Sequence, residues 1–415
     1  MTRRMKGALA VLVALVGTAV LVSAALAGST ATPGVTKTTI TIGGTFPLTG
    51  PAALYGVIPK AENAYFQYVN AHGGVNGRKI VFKVYDDQYN PANTVPLTKK
   101  LVEQDKVFAV YGSLGTAPVI ATRPYLNKKK VPQVLVATGD SYWGSQYKQY
   151  PWTIGWQPTY PGEAAIYARF ILAKVPQAKI GVLYQNDSYG TNYLNAFKAA
   201  LGGSSSKIVA TQSYDVTAPS VLQQVATLKG AGANTLVLFS TPTATIQALV
   251  IATKLGWHPT EFINNVSANE LFEGLATKNG ANVDGAISSG YVLDANVPAL
   301  TNNAGVTLAK KIVGQYDPKG SVYDVNVMYG LASAWTMVEA LKKAGNPPTR
   351  AGLMKALLSL NSLKNPFLYP GFVEKTSATD HFPIEQLVLA RYHSTGGAAN
   401  QGFWEPFGRV YSGIH

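Results

Sequence analysis

The chain reads as an α/β protein of two doubly wound lobes, because a strand–helix alternation runs through it twice. The first run covers residues 38–156 and the second 157–291, with an aromatic, proline-rich stretch at 150–161 at the junction. Short loops in such an alternation favour a parallel sheet with helices on both faces. A chain of 415 residues is long enough for two such cores.

The elements follow in order. Ile40-Thr41-Ile42 is a strand. The spacing predicts a helix over 57–70, with Val57, Ala61, Ala64, Tyr65, Tyr68 and Val69 on one face and Pro59 tolerated in the first turn. A glycine-rich turn at 73–77 leads to a strand at 80–85. A helix at 91–104, a strand at 107–111, a helix at 117–127 and a strand at 131–136 complete the first run. In the second, helices are expected at 163–174, 192–201, 220–229 and 244–255, and strands at 180–184, 207–213, 235–239 and 262–263. The C-terminal part departs from alternation. A strand at 285–292 precedes helices at 306–315, 322–343 and 350–359, a Pro/Gly/aromatic break at 365–371 and a late strand at 384–392.

The N-terminus sets the compartment. Arg3, Arg4 and Lys6 precede an apolar run from Gly7 to Leu26, and Ala25-Leu26-Ala27 fits a small-x-small cleavage site. This reads as a secretory signal over 1–27 followed by a polar linker over 28–37. An uncleaved anchor is the competing reading, since the run nearly spans a bilayer. Leu26-Ala27-Gly28-Ser29 resembles a lipobox with serine in place of the lipid-bearing cysteine. The mature chain is therefore expected to be exported and soluble, at the periplasm or the outer face of the cytoplasmic membrane or cell wall. Loss of three basic residues with the leader lowers the formal charge from +14 to +11. The cations are scattered, and the one dense cluster, Lys128-Lys129-Lys130, reads as a solvated loop before a strand. A nucleic-acid partner is not expected.

Catalytic templates are missing from the sequence. It has no cysteine, no GxSxG elbow and no P-loop. Gly230-Ala231-Gly232-Ala233 precedes a strand instead of following one, so it is not a dinucleotide fingerprint. Five dispersed histidines form no metal-ligating pair. Asp86-Asp87 reads as turn and capping chemistry before the Pro91 helix. Neither an enzyme nor a cofactor or metal is expected.

A resemblance adds to this reading. The ordered segments FPLTGPAALYG, VNAHGGVNGRKI, VYDDQYNP, VYGSLGTAP and VPQVLVATG, then QNDSYGTNY and DHFPIEQLVL, resemble type I periplasmic solute-binding proteins. The subfamily it resembles is that of the branched-chain amino-acid (Leu/Ile/Val) receptors of ABC transporters. The resemblance implies two Rossmann-like lobes joined by a three-crossover hinge, the type I periplasmic binding protein fold. Lobe 1 would be 38–156 plus 292–366, and lobe 2 157–291 plus 367–415, with crossovers near 155–158, 290–293 and 365–369. It also implies a monomer that takes a small-molecule ligand and docks on an ABC permease.

The resemblance places ligand contacts at strand ends, where open α/β sheets bind. The loop holding Ser113, Leu114 and Thr116 would take a carboxylate at a helix N-terminus. Thr116 stands at the family's serine position; N-capping is its plainer role. Ala137 and Gly139 would pin the ligand head through backbone groups. Asp140 would meet a cationic or hydroxyl group, or serve only a turn. Tyr55 from lobe 1 and Tyr189 from lobe 2 would clamp the ligand, although Tyr189 also suits helix-entry packing. Trp143 and Trp156 are weaker candidates, with hinge packing as the alternative. Thr241 lies in the small, polar lobe-2 loop Ser240-Thr241-Pro242-Thr243.

One departure stands out. Amino-acid receptors of this family place an acid for the ammonium after the strand at 262–263, where this chain has Asn264-Asn265-Val266-Ser267-Ala268. Glu270 is the next acid. An unpaired ammonium in a closed cleft is costly, so an amino-acid-like solute, an aromatic acid and an amide all stay open. The functional expectation is a substrate-binding protein of an ABC importer that closes on its solute, with a ligand sensor for a signalling partner as the alternative.

Overall fold

The computed structural model of the chain describes residues 32–398 and 401–414, so the expected leader and residues 28–31 of the linker lie outside it. Two sheets organise the described residues. The first runs β2-β1-β3-β4-β5, built from β1 Thr39–Phe46, β2 Lys79–Asp86, β3 Val110–Tyr111, β4 Gln133–Val136 and β5 Thr153–Gly155, all parallel. The second contains β6 Ile180–Gln185, β7 Ile208–Tyr214, β8 Thr235–Phe239, β9 Thr260–Ile263 and β10 Ile287–Gly290, then β11 Gln386–His393 and β12 Phe403–Ser412. Its order is β12-β11-β10-β9-β8-β6-β7, with β10, β11 and β12 paired antiparallel.

Burial explains which runs became central strands. Every residue of β3, β4 and β8 is buried, as a strand covered on both faces requires. The edge strands β2 and β7 are mostly half-exposed. The expected strand at 107–111 shortens to Val110–Tyr111. Arg350 explains this: its Nε and Nη2 donate to the carbonyls of Phe108 and Val107, at 2.9 and 2.8 Å, which removes them from the ladder.

Several helices begin earlier than the periodicity alone placed them, because polar caps start them. Asp187 accepts from the N–H groups of Tyr189 and Gly190, so the helix runs Ser188–Leu201. Thr159 accepts from Gly162 N, so the next lobe's first helix is Tyr160–Lys174. The helix Glu270–Lys278, capped by Asn269, and the strands β5 and β12 were not anticipated. The β12 segment carries a proline and internal glycine, which mask a strand pattern.

The chain passes between the sheets three times. After β5 it enters the helix Tyr160–Lys174, which packs on Ser188–Leu201. After β10 it returns to helices Ala304–Tyr316 and Val325–Lys343, both packed on Ile58–Ala71 beside the first sheet. It then reaches β11. The second and third passages pair with each other: Leu293 N donates to Phe367 O at 2.8 Å and Tyr369 N to Tyr291 O at 2.7 Å. Glu374 ties in the first passage, its Oε1 accepting from Trp156 Nε1, Asn365 Nδ2 and Thr336 Oγ1 at 3.2, 2.9 and 2.6 Å. Trp156 is fully buried here, in the hinge.

Two predictions follow from packing. A Cβ on Gly330 would stand 2.6 Å from Ile58 O and 2.8 Å from Ala61 Cβ, so the two helices touch at that point. Gly330→Val is expected to cost ~1–3 kcal/mol by forcing them apart, read from urea denaturation. An unchanged midpoint would contradict the contact. Glu261 on β9 is buried, and burial alone raises its pKa from 4.5 to about 8. Between those values the folded chain holds a proton that the unfolded chain has lost, so this group's contribution to stability falls as pH rises and is level above about 8. Glu261→Gln is therefore expected to flatten the decline in melting temperature across that window. A decline of unchanged slope would refute the assignment.

Candidate functional site

Both sheets reverse direction of winding at one point, between β1 and β3 and between β6 and β8. Loops leaving the carboxyl ends of neighbouring strands diverge there and open a crevice. The two crevices face each other, and their loops wall a cavity of about 1030 Å³, counted out to its solvent mouth.

The loop after β1 presents Tyr55 from a short 3-10 turn, Ala53–Val57. Asp86 at the end of β2 anchors this loop, accepting from Leu48 N, Thr49 N and Thr49 Oγ1 at 3.0, 3.2 and 2.5 Å. Asp87 accepts from Tyr89 N and Thr94 Oγ1, at 3.0 and 2.8 Å. The acid pair therefore does turn and capping work. It also holds Gln88 and Tyr89 in the left-handed region, φ 57° and 60°, and Tyr89 lines the cavity. Gly115 has φ 104°, and a Cβ there would meet the Tyr89 ring at 2.7 Å, so only glycine fits.

Of the expected contact residues, Tyr55, Leu114, Ala137, Tyr189 and Thr241 line the cavity. Ser113, Thr116, Gly139 and Asp140 are not on the cavity wall, and some of their polar groups are engaged elsewhere. Ser113 Oγ accepts from Thr45 N at 3.1 Å. Thr116 Oγ1 shares a 2.6 Å hydrogen bond with Thr138 Oγ1, and the N-cap of its helix is Gly115, not Thr116. The Gly139 carbonyl accepts from Tyr160 N at 2.7 Å. Asp140 accepts from Tyr142 N at 2.8 Å, and burial raises its pKa to about 6. Trp143 packs against Val119 and Val136, away from the cavity.

Tyr55 reaches across the cleft: its hydroxyl donates to Val266 O, 3.0 Å away in the loop after β9. Thr243 Oγ1 donates to Pro51 O at 3.0 Å and Asn269 Nδ2 to Asp324 Oδ1 at 2.7 Å, two more bonds between the lobes. The Tyr189 ring faces the cavity, while its hydroxyl lies 3.0 Å from Ser240 O inside the second lobe. Tyr160 meets Tyr189 edge-on at 5.2 Å and stacks on Tyr193 at 4.4 Å.

Glu163 fixes the lobe-2 loop. Its Oε1 accepts from Asn265 N, Ser289 Oγ and the Tyr167 hydroxyl at 2.7, 3.0 and 2.5 Å. Its Oε2 accepts from Asn265 Nδ2 and the Tyr193 hydroxyl, both at 2.6 Å. Burial pushes its pKa above the ordinary value, and the donors oppose that shift. Asn264 to Ala268 thus carries no acid of its own. It is backed by a buried one whose oxygens are already occupied.

The sequence reading missed Tyr89, Gln157, Tyr160, Asn265, Tyr291, Asp294, Asn326 and Tyr329, all on the cavity wall. Tyr89 stood within the VYDDQYNP motif as a turn residue. Asp294, beside the expected second crossover, was the other available signal. Among the described residues no Lys, Arg or His lines the cavity.

The sequence model of the periplasmic binding protein family matches residues 39–398, and the chain belongs to that family. Among curated proteins it is similar to a Leu/Ile/Val-binding protein homolog of Brucella melitensis, 29% identical over 39% of this chain and 44% of that protein. The chain thus spans about half the length of the curated relatives it matches. Among solved structures it resembles a substrate-binding periplasmic protein from Ralstonia solanacearum, with a TM-score of 0.77 and 21% identity over 88% of this chain and 100% of that one. It also resembles a branched-chain amino acid ABC transporter protein from Thermus thermophilus solved with bound valine, with a TM-score of 0.77 and 18% identity over 90% and 97% of the two chains. These structures share the fold of two α/β lobes with mostly parallel sheets.

Glu163→Gln tests the hub. An amide must turn its NH2 toward donors, leaving at least one buried donor without an acceptor. The expected loss is ~1–3 kcal/mol of stability, measured by chemical denaturation. A variant as stable as wild type would show that the five bonds are not needed.

Proposed function

We propose that this chain is the extracytoplasmic solute receptor of an ABC importer. It takes a small organic solute into the interlobe cavity, closes about the three passages, and presents it to a membrane permease. The observation that carries the reading is the wall of the cavity. It is tyrosine-rich, is drawn from both lobes, and is bridged by the Tyr55 hydroxyl to Val266 O at 3.0 Å. A contact made only when the lobes meet gives a solute between them something to stabilise. The names of the relatives, which concern branched-chain amino acids, support the transport role and an exported location. No covalent step is required of any residue on this wall.

The solute enters a site with little free polar capacity. Tyr189 and Thr241 spend their hydroxyls within lobe 2. The aromatic bodies do the packing, and the few open polar atoms set orientation.

Calorimetric titration tests the proposal, using refolded protein and a panel of aliphatic and aromatic amino acids, acids, amines and amides. For a panel member that binds, Tyr55→Phe keeps the ring and removes the bridge. It is expected to weaken binding about fivefold, the worth of one hydrogen bond. Tyr55→Ala should weaken it further. Small-angle scattering should show a smaller radius of gyration with solute than without. Full affinity in both variants, or no compaction, would overturn the closure mechanism.

A further inference from the structure

One region of the cavity carries charge that packing against tyrosines does not explain. Glu270 opens the helix Glu270–Lys278, is only 2% exposed, and lines the cavity with an Oε2 that has no hydrogen-bond partner. Asp294 lies on the second passage between the lobes, also on the wall. Its Oδ1 accepts from Asn296 N at 2.7 Å, its buried Oδ2 makes no hydrogen bond of good geometry, and the Asn296 side chain and the Trp404 amide lie near the carboxyl. Both carboxyl groups lie on the cavity wall, close enough for each to shift the other's titration. Asn326, from the start of the helix Val325–Lys343 beside the first sheet, joins them on the wall with an unpartnered Nδ2.

Two acids therefore meet in a cavity whose described wall has no Lys, Arg or His to neutralise them. Glu273, on the same helix, is a further buried acid, and its Oε2 already accepts from Asn269 N at 2.9 Å and Trp404 Nε1 at 3.3 Å. Two facing carboxyl groups cannot both ionise cheaply unless a cation joins them. Tyr291 and Tyr329 are on the same wall, and aromatic rings tolerate a neighbouring cation.

We propose that Glu270 and Asp294 form an ammonium-recognising subsite, and that the solute carries a protonated amine on an apolar or aromatic body. The inference rests on the solute-capture reading and narrows it. The subsite differs in place from the loop Asn264 to Ala268, where Glu163 is already occupied by Asn265. It draws on the second lobe, on a passage between lobes and, through Asn326, on the first lobe. One residue from Glu270, Asn269 donates across the cleft to Asp324. An amine seated there bonds most fully with the lobes together. The free Nδ2 of Asn326 is left to donate to an oxygen elsewhere on the solute.

The test compares matched probes by calorimetry on the refolded chain: phenethylamine, 2-phenylethanol and 3-phenylpropionate, then 3-methylbutylamine, 3-methylbutanol and 4-methylpentanoate. The amine of at least one trio is expected to bind at least about tenfold more tightly than its alcohol and its acid. Glu270→Gln and Asp294→Asn should each cut that amine-over-alcohol preference by at least about tenfold. The preference within one variant is not moved by a general loss of stability, and two separate variants guard against one that fails to fold. A preference unchanged in a folded variant would overturn the subsite. An alcohol or acid that binds as tightly as its amine, and loses affinity in Tyr55→Ala, would overturn the amine while leaving solute capture standing. No binding by any of the six would overturn the amine, while solute capture would fall only if the wider panel of amino acids, acids, amines and amides also failed to bind.

Discussion

A buried carboxylate sets the geometry of the cleft. Glu163 sits on the first helix of the second lobe and gathers donors from that helix, from Ser188–Leu201, from the loop after β9 and from the end of β10. A desolvated acid is tolerated only where donors surround it, so their positions become mutually dependent. Asn265 is held twice, by its backbone and by its side chain. The next residue, Val266, offers its carbonyl to Tyr55 of the opposite lobe. The bridge across the cleft is thus built on a buried acid that is not itself on the cavity wall.

The hinge repeats the device. Glu374 is fully buried, with Trp156, Asn365 and Thr336 donating to one oxygen, and burial raises its pKa to about 7. Trp156 and Asn365 lie on different passages between the lobes, so one carboxyl group keeps those passages in register. The second and third passages also pair through their own backbones. Closure of the kind proposed would bend a small hydrogen-bonded ribbon and leave both sheets intact. This is the behaviour expected of a hinge whose few residues absorb the motion.

Between these anchors the cavity divides its labour. Its tyrosine rings supply contact area at small entropic cost. Hydroxyls that would otherwise demand a partner from the solute are mostly satisfied within their own lobe, as for Tyr189 and Thr241. The buried polar atoms of the wall left without a hydrogen bond belong to Glu270, Asp294, Asn326 and Gln157. Selectivity would then reside in a few atoms, while the aromatic wall accepts a range of shapes.

The sequence by itself determined the two-lobed α/β plan. Buried parallel strands must be continuously apolar, and Val134, Leu236 and their neighbours show that locally. It also placed candidate contacts at strand ends, and of these Tyr55, Leu114, Ala137, Tyr189 and Thr241 are on the cavity wall. Only the tertiary structure decided which strand-end groups face inward. Thr116 and Asp140 look as available in sequence as Tyr55, yet Thr138 and the Tyr142 amide consume them. Tyr89 enters the cavity because two left-handed residues turn the chain, which no periodicity encodes. Glu270, Asp294 and Asn326 are distant in sequence and meet only when a helix, a passage between lobes and the opposite lobe converge. Hydrophobic patterns are local and survive in the sequence, whereas the partners that satisfy or leave open a polar atom come from elsewhere in the chain.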